Sequence, residues 1–76
     1  MEAVVADLAG RLGISAQEVT VEQVKAVQWP DSSMGCPQPG YMYTQVITPG
    51  YQIILKAQGK SYDYRTDESG GFVLCE

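Results

Sequence analysis

The sequence predicts an α+β domain: an N-terminal helix packed on one face of a four- to five-stranded antiparallel sheet. Three observations predict it. One helical stripe opens the chain, at Val5, Leu8, Ala9 and Leu12. From Tyr41 onward, short β-prone runs, two of them strictly alternating, recur between turn residues. The chain has 76 residues, which is one small domain spanning 1–76.

The helix should run from about residue 2 to residue 12. Its apolar positions fall at i, i+3, i+4 and i+7. Glu2 and Asp7 lie towards its N-terminal end and Arg11 in its last turn, as the macrodipole prefers. Gly13 stands where a terminating glycine belongs, with Ile14 as its apolar partner. A helix this short must dock on something to persist. Ser15 and Glu18 form a capping box that could start a second helix or a single turn.

Val19, Val21, Val24 and Val27 follow, with a change of phase between Val21 and Val24. Two in-phase pairs separated by a slip suggest a strand with a bulge. A helix from Val21 to Gln28 is the alternative; β-branching favours the strand. Residues 30–40 hold three prolines and two glycines in eleven positions, which excludes regular structure and makes a stiff loop. The rest reads as a meander. Strands are expected at Tyr41–Thr48, Tyr51–Ala57, Lys60–Thr66 and Phe72–Cys75. Pro49-Gly50, Gln58-Gly59 and Asp67–Gly71 are the expected turns.

Composition excludes several functions. The net charge is −4 with five Lys and Arg, too few to neutralise a nucleic-acid backbone. No apolar run approaches the ~18 residues of a membrane span, so this segment should not insert in a membrane. Histidine is absent. That removes the commonest general base, most zinc sites and every Ser-His or Cys-His nucleophile pair. The serines have no evident base near them in sequence. Asp67 and Glu68 are adjacent and point apart; Asp31 with Asp63 could pair across the fold, but nothing selects them. Asp67–Gly70 lacks the alternation of a calcium loop and reads as a solvated turn. No catalytic residue, metal ligand or cofactor site is expected, and the protein should not be an enzyme.

Ordering 76 residues costs on the order of 110 kcal/mol, and a core this small barely offsets it. A covalent staple would help. Cys36 and Cys75, without metal-ligand spacing, favour a disulfide. The competing reading is two independent thiols. A disulfide implies an oxidising compartment, yet no basic or apolar leader opens the chain. The expected reconciliation is a mature domain cut from a longer secreted chain or lipoprotein, extracytoplasmic, with Met1 as the expression start.

Five tyrosines, Trp29 and Phe72 lie in or beside the expected strands. The plain reading is that they line the core and its edge; the functional one is a partly exposed aromatic face. The 30–40 loop is the better candidate. It is stiff, bridged at Cys36, and flanked by Trp29 and Tyr41. A loop held in one conformation loses little entropy on binding. Met34 is the expected exposed anchor, with Trp29, Tyr41 and Tyr43 completing the partner-binding set. The competing reading is a structural loop crossing the end of the sheet.

Trp29-Pro30-Asp31-x-Ser33-Met34-Gly35-Cys36-Pro37-x-Pro39-Gly40, then Tyr43-Thr44-Gln45 and Pro49-Gly50-Tyr51, resembles a family of small uncharacterised bacterial domains found in secreted proteins and lipoproteins. The resemblance covers residues 8–76 and implies the fold and the export, without an established function. A helix followed by a sheet with an aromatic edge is similar to PepSY-type domains, which implies a link to protease inhibition. Gln45–Gly50 resembles the cystatin hairpin motif Gln-x-Val-x-Gly, with its glycine one residue late and no Val two after Gln45; no residue takes a cystatin role from it.

The expected function is a non-catalytic protein- or peptide-binding module, in its most specific form a protease-inhibitor-like domain acting on a secreted protease through the 30–40 loop. The alternative is a structural accessory domain of a larger secreted protein. The oligomeric state is not legible.

Overall fold

The structure, a computed structural model, describes residues 2–75. The reading of Met1 as an expression start lies outside those residues. Helix α1 spans Glu2–Leu12, and a single 3-10 turn spans Ala16–Glu18. Among the described residues the strands are β1 (Thr20–Trp29), β2 (Thr48–Ala57), β3 (Lys60–Asp67) and β4 (Phe72–Cys75). They form one antiparallel sheet in the order β1-β2-β3-β4. The α+β expectation holds, with four strands.

α1 ends as its sequence dictates. Gly13 takes a left-handed φ of 68°, and the Ile14 N–H reaches back to the Ala9 carbonyl at 3.0 Å. The Ser15–Glu18 box closes in both directions but caps only one turn. Val19 is already extended, and β-branched residues carry the chain into β1. The phase slip is a bulge between Val21 and Gln23. It sends the extra residue, Glu22, to the Ser61 hydroxyl at 2.8 Å.

α1 buries Val4, Leu8 and Ala9, with Val5 and Leu12 half-buried. Val4 was outside the expected stripe; the buried face lies about one residue towards the N-terminus. Val4 and Leu8 pack with Ile53, Leu55, Ala57 and Tyr64. Each fully buried aliphatic side chain there contributes roughly 1.5–3 kcal/mol. Tyr64 has no solvent exposure, and its hydroxyl donates to Asp7 Oδ2 at 2.7 Å. Asp7 also takes Arg11 Nε at 2.6 Å. The Tyr64 bond, with help from Arg11 and against a cost of burial, holds the Asp7 carboxyl below its ordinary value. Burial first, and the Asp7 bond second, push the Tyr64 phenol well above its own.

Two expectations fail between residues 41 and 50. Tyr41–Ile47 forms no strand, and Pro49-Gly50 is not a turn. β2 instead starts at Thr48 and runs through both residues, with Trp29 opposite Thr48, Gln28 opposite Pro49 and Val27 opposite Gly50. The last residues of β1 need backbone partners, and this stretch supplies them. Gln58 (φ 53°) and Gly59 (φ 77°) make the expected two-residue hairpin in its primed form. At the next turn the Asp67 carboxylate accepts from Ser69 N and Gly71 N at 2.8 and 2.9 Å.

Candidate functional site

Residues 30–47 leave the end of β1 and return to start β2. They fold across the sheet face opposite α1. Register fixes that face: Lys25, Gln52, Arg65 and Val73 share one row, and Gln23, Ile54, Asp63 and Cys75 the next. Every anchor of the loop is on it.

Trp29 makes the first anchor. Its indole N–H donates to the Thr66 carbonyl at 3.1 Å. Trp29 is on β1 and Thr66 on β3, so the ring must cross β2. Near that crossing stands buried Gly50, where a Cβ would collide with the Thr66 carbonyl. This is why Pro-Gly sits inside a strand. Arg65 makes the second anchor. Its guanidinium lies 5.2 Å from the Trp29 ring centroid and donates to the Met34 carbonyl at 3.1 Å. Asp63 holds it from beneath at 3.1 Å, and Gln52 donates to the same carboxylate at 3.2 Å. Arg65 Nε is buried without a hydrogen-bond partner, so the cation is held by its two terminal nitrogens.

The loop's own residues shape it to these anchors. Asp31 Oδ1 accepts from the Ser33 N–H at 2.9 Å and from the Ser33 hydroxyl. Met34 and Gly35 both take left-handed φ, 58° and 71°. A Cβ on Gly35 would come within 2.8 Å of Arg65 Nη1 and would strain a left-handed backbone, so glycine is favoured there and a side chain would push the guanidinium aside. The Cys36–Cys75 disulfide, with Cα atoms 5.8 Å apart, ties the loop to β4. The Trp29–Cys36 motif is therefore a fastening. Met34 is 6% exposed and Trp29 7%. The expectation that Met34 is an exposed anchor is corrected: its carbonyl takes Arg65 and its side chain is buried. Trp29 is a staple between strands and cannot present its ring to a partner.

Beyond Cys36 the segment changes character. Tyr41 is 68% exposed, Met42 98% and Ile47 64%, with Val46 exposed beside them. Tyr41 stacks on half-buried Tyr43 with ring centroids 6.5 Å apart. The Tyr43 hydroxyl accepts from Gln38 N at 2.9 Å. Thr44 is clamped to Ser32 by two bonds, its N–H to the Ser32 hydroxyl at 2.8 Å and its carbonyl from Ser32 N at 3.0 Å. The Thr48 hydroxyl holds the Val46 carbonyl at 3.0 Å. Apolar side chains thus stand in solvent on a backbone pinned along its length. No charged residue falls between Asp31 and Lys56.

Of the four residues expected to meet a partner, the structure exposes Tyr41, half-exposes Tyr43 and buries Trp29 and Met34. Met42, Val46 and Ile47 were missed because Tyr41–Thr48 read as a strand. The run Tyr41-Met42-Tyr43 has no inward-outward alternation, which was the available signal. Gln45–Gly50 is loop and strand, so the cystatin-like hairpin tip is absent. Asp31 and Asp63 are each engaged in holding the loop. Among the described residues no group of three or more His, Cys, Asp or Glu could hold a metal. No helix of the described residues is long and apolar enough to cross a membrane.

Fold and surface define a small disulfide-stapled α+β domain with an exposed apolar segment. The chain belongs to a family described as a domain of unknown function, DUF8738, which it matches over residues 1–75. No curated protein and no solved structure matches it.

Proposed function

We propose that this domain is a non-catalytic protein- or peptide-binding module of an extracytoplasmic protein, with Tyr41–Ile47 as its contact surface. One observation carries the reading: exposed Tyr41, Met42, Val46 and Ile47 sit on an uncharged segment that hydrogen bonds hold at Ser32, Gln38 and Thr48. A soluble domain gains nothing in stability from four apolar side chains in water. A pre-organised segment binds with little further loss of entropy. The disulfide supports an oxidising compartment, as does the resemblance to secreted and lipoprotein domains. The absence of histidine supports a role without catalysis.

In its inhibitor-like form this reading takes a different anchor. Met34 is covered, so a protease cleft would take Met42 or Ile47. The test is to pan the immobilised domain against a displayed random-peptide library, and to assay it against secreted serine, cysteine and metalloproteases. Binding or inhibition should fall about thirtyfold in Met42→Ser or Ile47→Ser, the size of a central anchor's loss. Failure to enrich any peptide, or enrichment indifferent to every substitution from Tyr41 to Ile47, would leave a structural accessory domain instead. Inhibition of no protease retires the inhibitor form alone.

A further inference from the structure

A second surface lies on the helix side, far in character from the Tyr41–Ile47 segment. β1 is an edge strand: among the described residues its backbone pairs with β2 alone. From Thr20 to Ala26 its side chains are exposed on both faces, because α1 lies over β2 and β3. The bulge at Glu22 and Pro30 bound a regular stretch, Gln23–Trp29. Next to it opens a cleft of about 620 Å³ between α1, the sheet and the β3–β4 turn. Val4, Val24, Tyr51 and Phe72 form its apolar walls, and Asp67 and Glu68 its rim. Among the described residues no Lys or Arg lines it.

We propose that an extended peptide adds to β1 as a fifth strand and places a basic side chain in this cleft. The open ladder specifies a strand, since only another backbone satisfies a row of main-chain donors and acceptors. The period of a strand then delivers every second side chain to the Val24 face. The position beside Val24 meets an apolar and aromatic wall with the Glu68 carboxylate near it. An Arg or Lys fits: its methylenes lie over Val24 and Tyr51, on the β1 side of the cleft, and its charge reaches towards Glu68.

A second copy of this chain fits poorly. Two copies paired antiparallel through β1 keep the same face upward. The one cation on β1, Lys25, pairs with Gln52 and so lies on the face opposite Val24. The copy's Lys25 would stand away from the cleft, and two chains of net charge −4 would be brought together. The bulge and Lys25 are also the devices by which edge strands resist self-pairing.

The test is an amide chemical-shift titration of the intact, oxidised domain. Two acetylated, amidated peptides serve as probes, Thr-Val-Thr-Arg-Thr-Val-Thr and its Glu-centred twin. The expected shifts fall on residues 23–29, Tyr51 and Glu68, with Met42–Ile47 unmoved. The Arg peptide should bind roughly fivefold more tightly than the Glu peptide, and Glu68→Lys, in an exposed turn, should erase most of that preference. Equal affinity for the two peptides overturns the proposal. So does a lack of β1 shifts at millimolar peptide, or β1 shifts that follow protein concentration without peptide, which would mark self-pairing. Shifts confined to Tyr41–Ile47 overturn it too while leaving the contact surface proposed above intact.

Discussion

The two faces of this sheet are covered by different chemistry. On one face α1 lays Val4 and Leu8 on Ile53, Leu55, Ala57 and Tyr64. That is interchangeable apolar area, repeated at every turn of the helix. On the other face an irregular loop is held by one indole, one guanidinium, one carboxylate network and one disulfide. None of those contacts repeats, and none has a neighbour of the same kind to replace it. The helix side should lose stability in proportion to the apolar area removed. The loop side should come loose from the sheet when one of its few fastenings is cut.

The sharpest way to break the comparison is reduction of Cys36–Cys75. The bridge spans a sequence separation of 39, for which the chain-entropy model gives about 4 kcal/mol. In a domain this size that lowers Tm by roughly 15–30 °C. Calorimetry with and without reductant checks it, and a shift under about 5 °C would show that the loop face holds without its staple. Amide protection should be lost first at the Trp29 indole and at β4, with α1 and β2 following later.

Next come single side chains. Leu8→Ala removes a fully buried residue under α1 and should cost about 3 kcal/mol. On the loop side Arg65→Met is the matched probe. It keeps an unbranched apolar stem and removes the donor to Met34, leaving Asp63 without its cation. We expect a loss of about 2 kcal/mol, and Trp29 fluorescence changing with it. An unchanged indole spectrum would mean that Arg65 does not hold the loop down.

How far each face is legible in sequence follows from the same contrast. Leu8, Ala9, the Gly13 end of α1, the Gln58-Gly59 turn and the alternation of Tyr62 and Tyr64 are local or periodic signals, and they placed the helix face to within a residue. The bulge in β1 was readable as a slipped valine phase. The loop face was readable only at its cysteines. Arg65 and Asp63 alternate outward and look solvated; nothing near them in sequence says that a loop arrives from residues 30–36. Pro49-Gly50 looks like a turn because its use depends on an indole from another strand. Met34 looks exposed because a methionine in a polar loop carries no mark of what lies beneath it. Such contacts become visible once the chain has folded back on itself, and a pattern of neighbours cannot show them.

A smaller effect separates the faces by pH. Tyr64 and Asp7 tie α1 to β3. The Asp7 carboxyl is depressed in the folded state. Its stabilisation is present above the ordinary value near 3.8 and is lost as pH falls through the lowered folded value. The Tyr64 phenol is raised. Its stabilisation is complete below its ordinary value near 10 and declines as pH climbs towards the folded value. Asp7→Ala should cost about 1–2 kcal/mol at neutral pH by leaving the phenol unpaired, and should flatten the acid limb of a Tm-against-pH profile. Met34→Ala should leave that limb unchanged.

The smallest effect sharpens the comparison within the loop itself. Met34 and Met42 lie eight positions apart in one segment, yet Met34 is 6% exposed and Met42 98%. Met34→Ala removes a buried side chain and should cost about 2 kcal/mol, at the low end for a buried methionine because the loop can partly collapse. Met42→Ala removes a side chain that touches little but water. It should change stability by less than ~0.5 kcal/mol, and so should Tyr41→Ala. Urea titrations of the three variants at one pH measure this directly. A Met42→Ala loss as large as that of Met34→Ala would mean that Tyr41–Ile47 packs down in solution, and the contact surface proposed for it would then be part of the fold. A silent Met42→Ala leaves the residue free for a partner, since a position that contributes nothing to folding can be set wholly by what it binds.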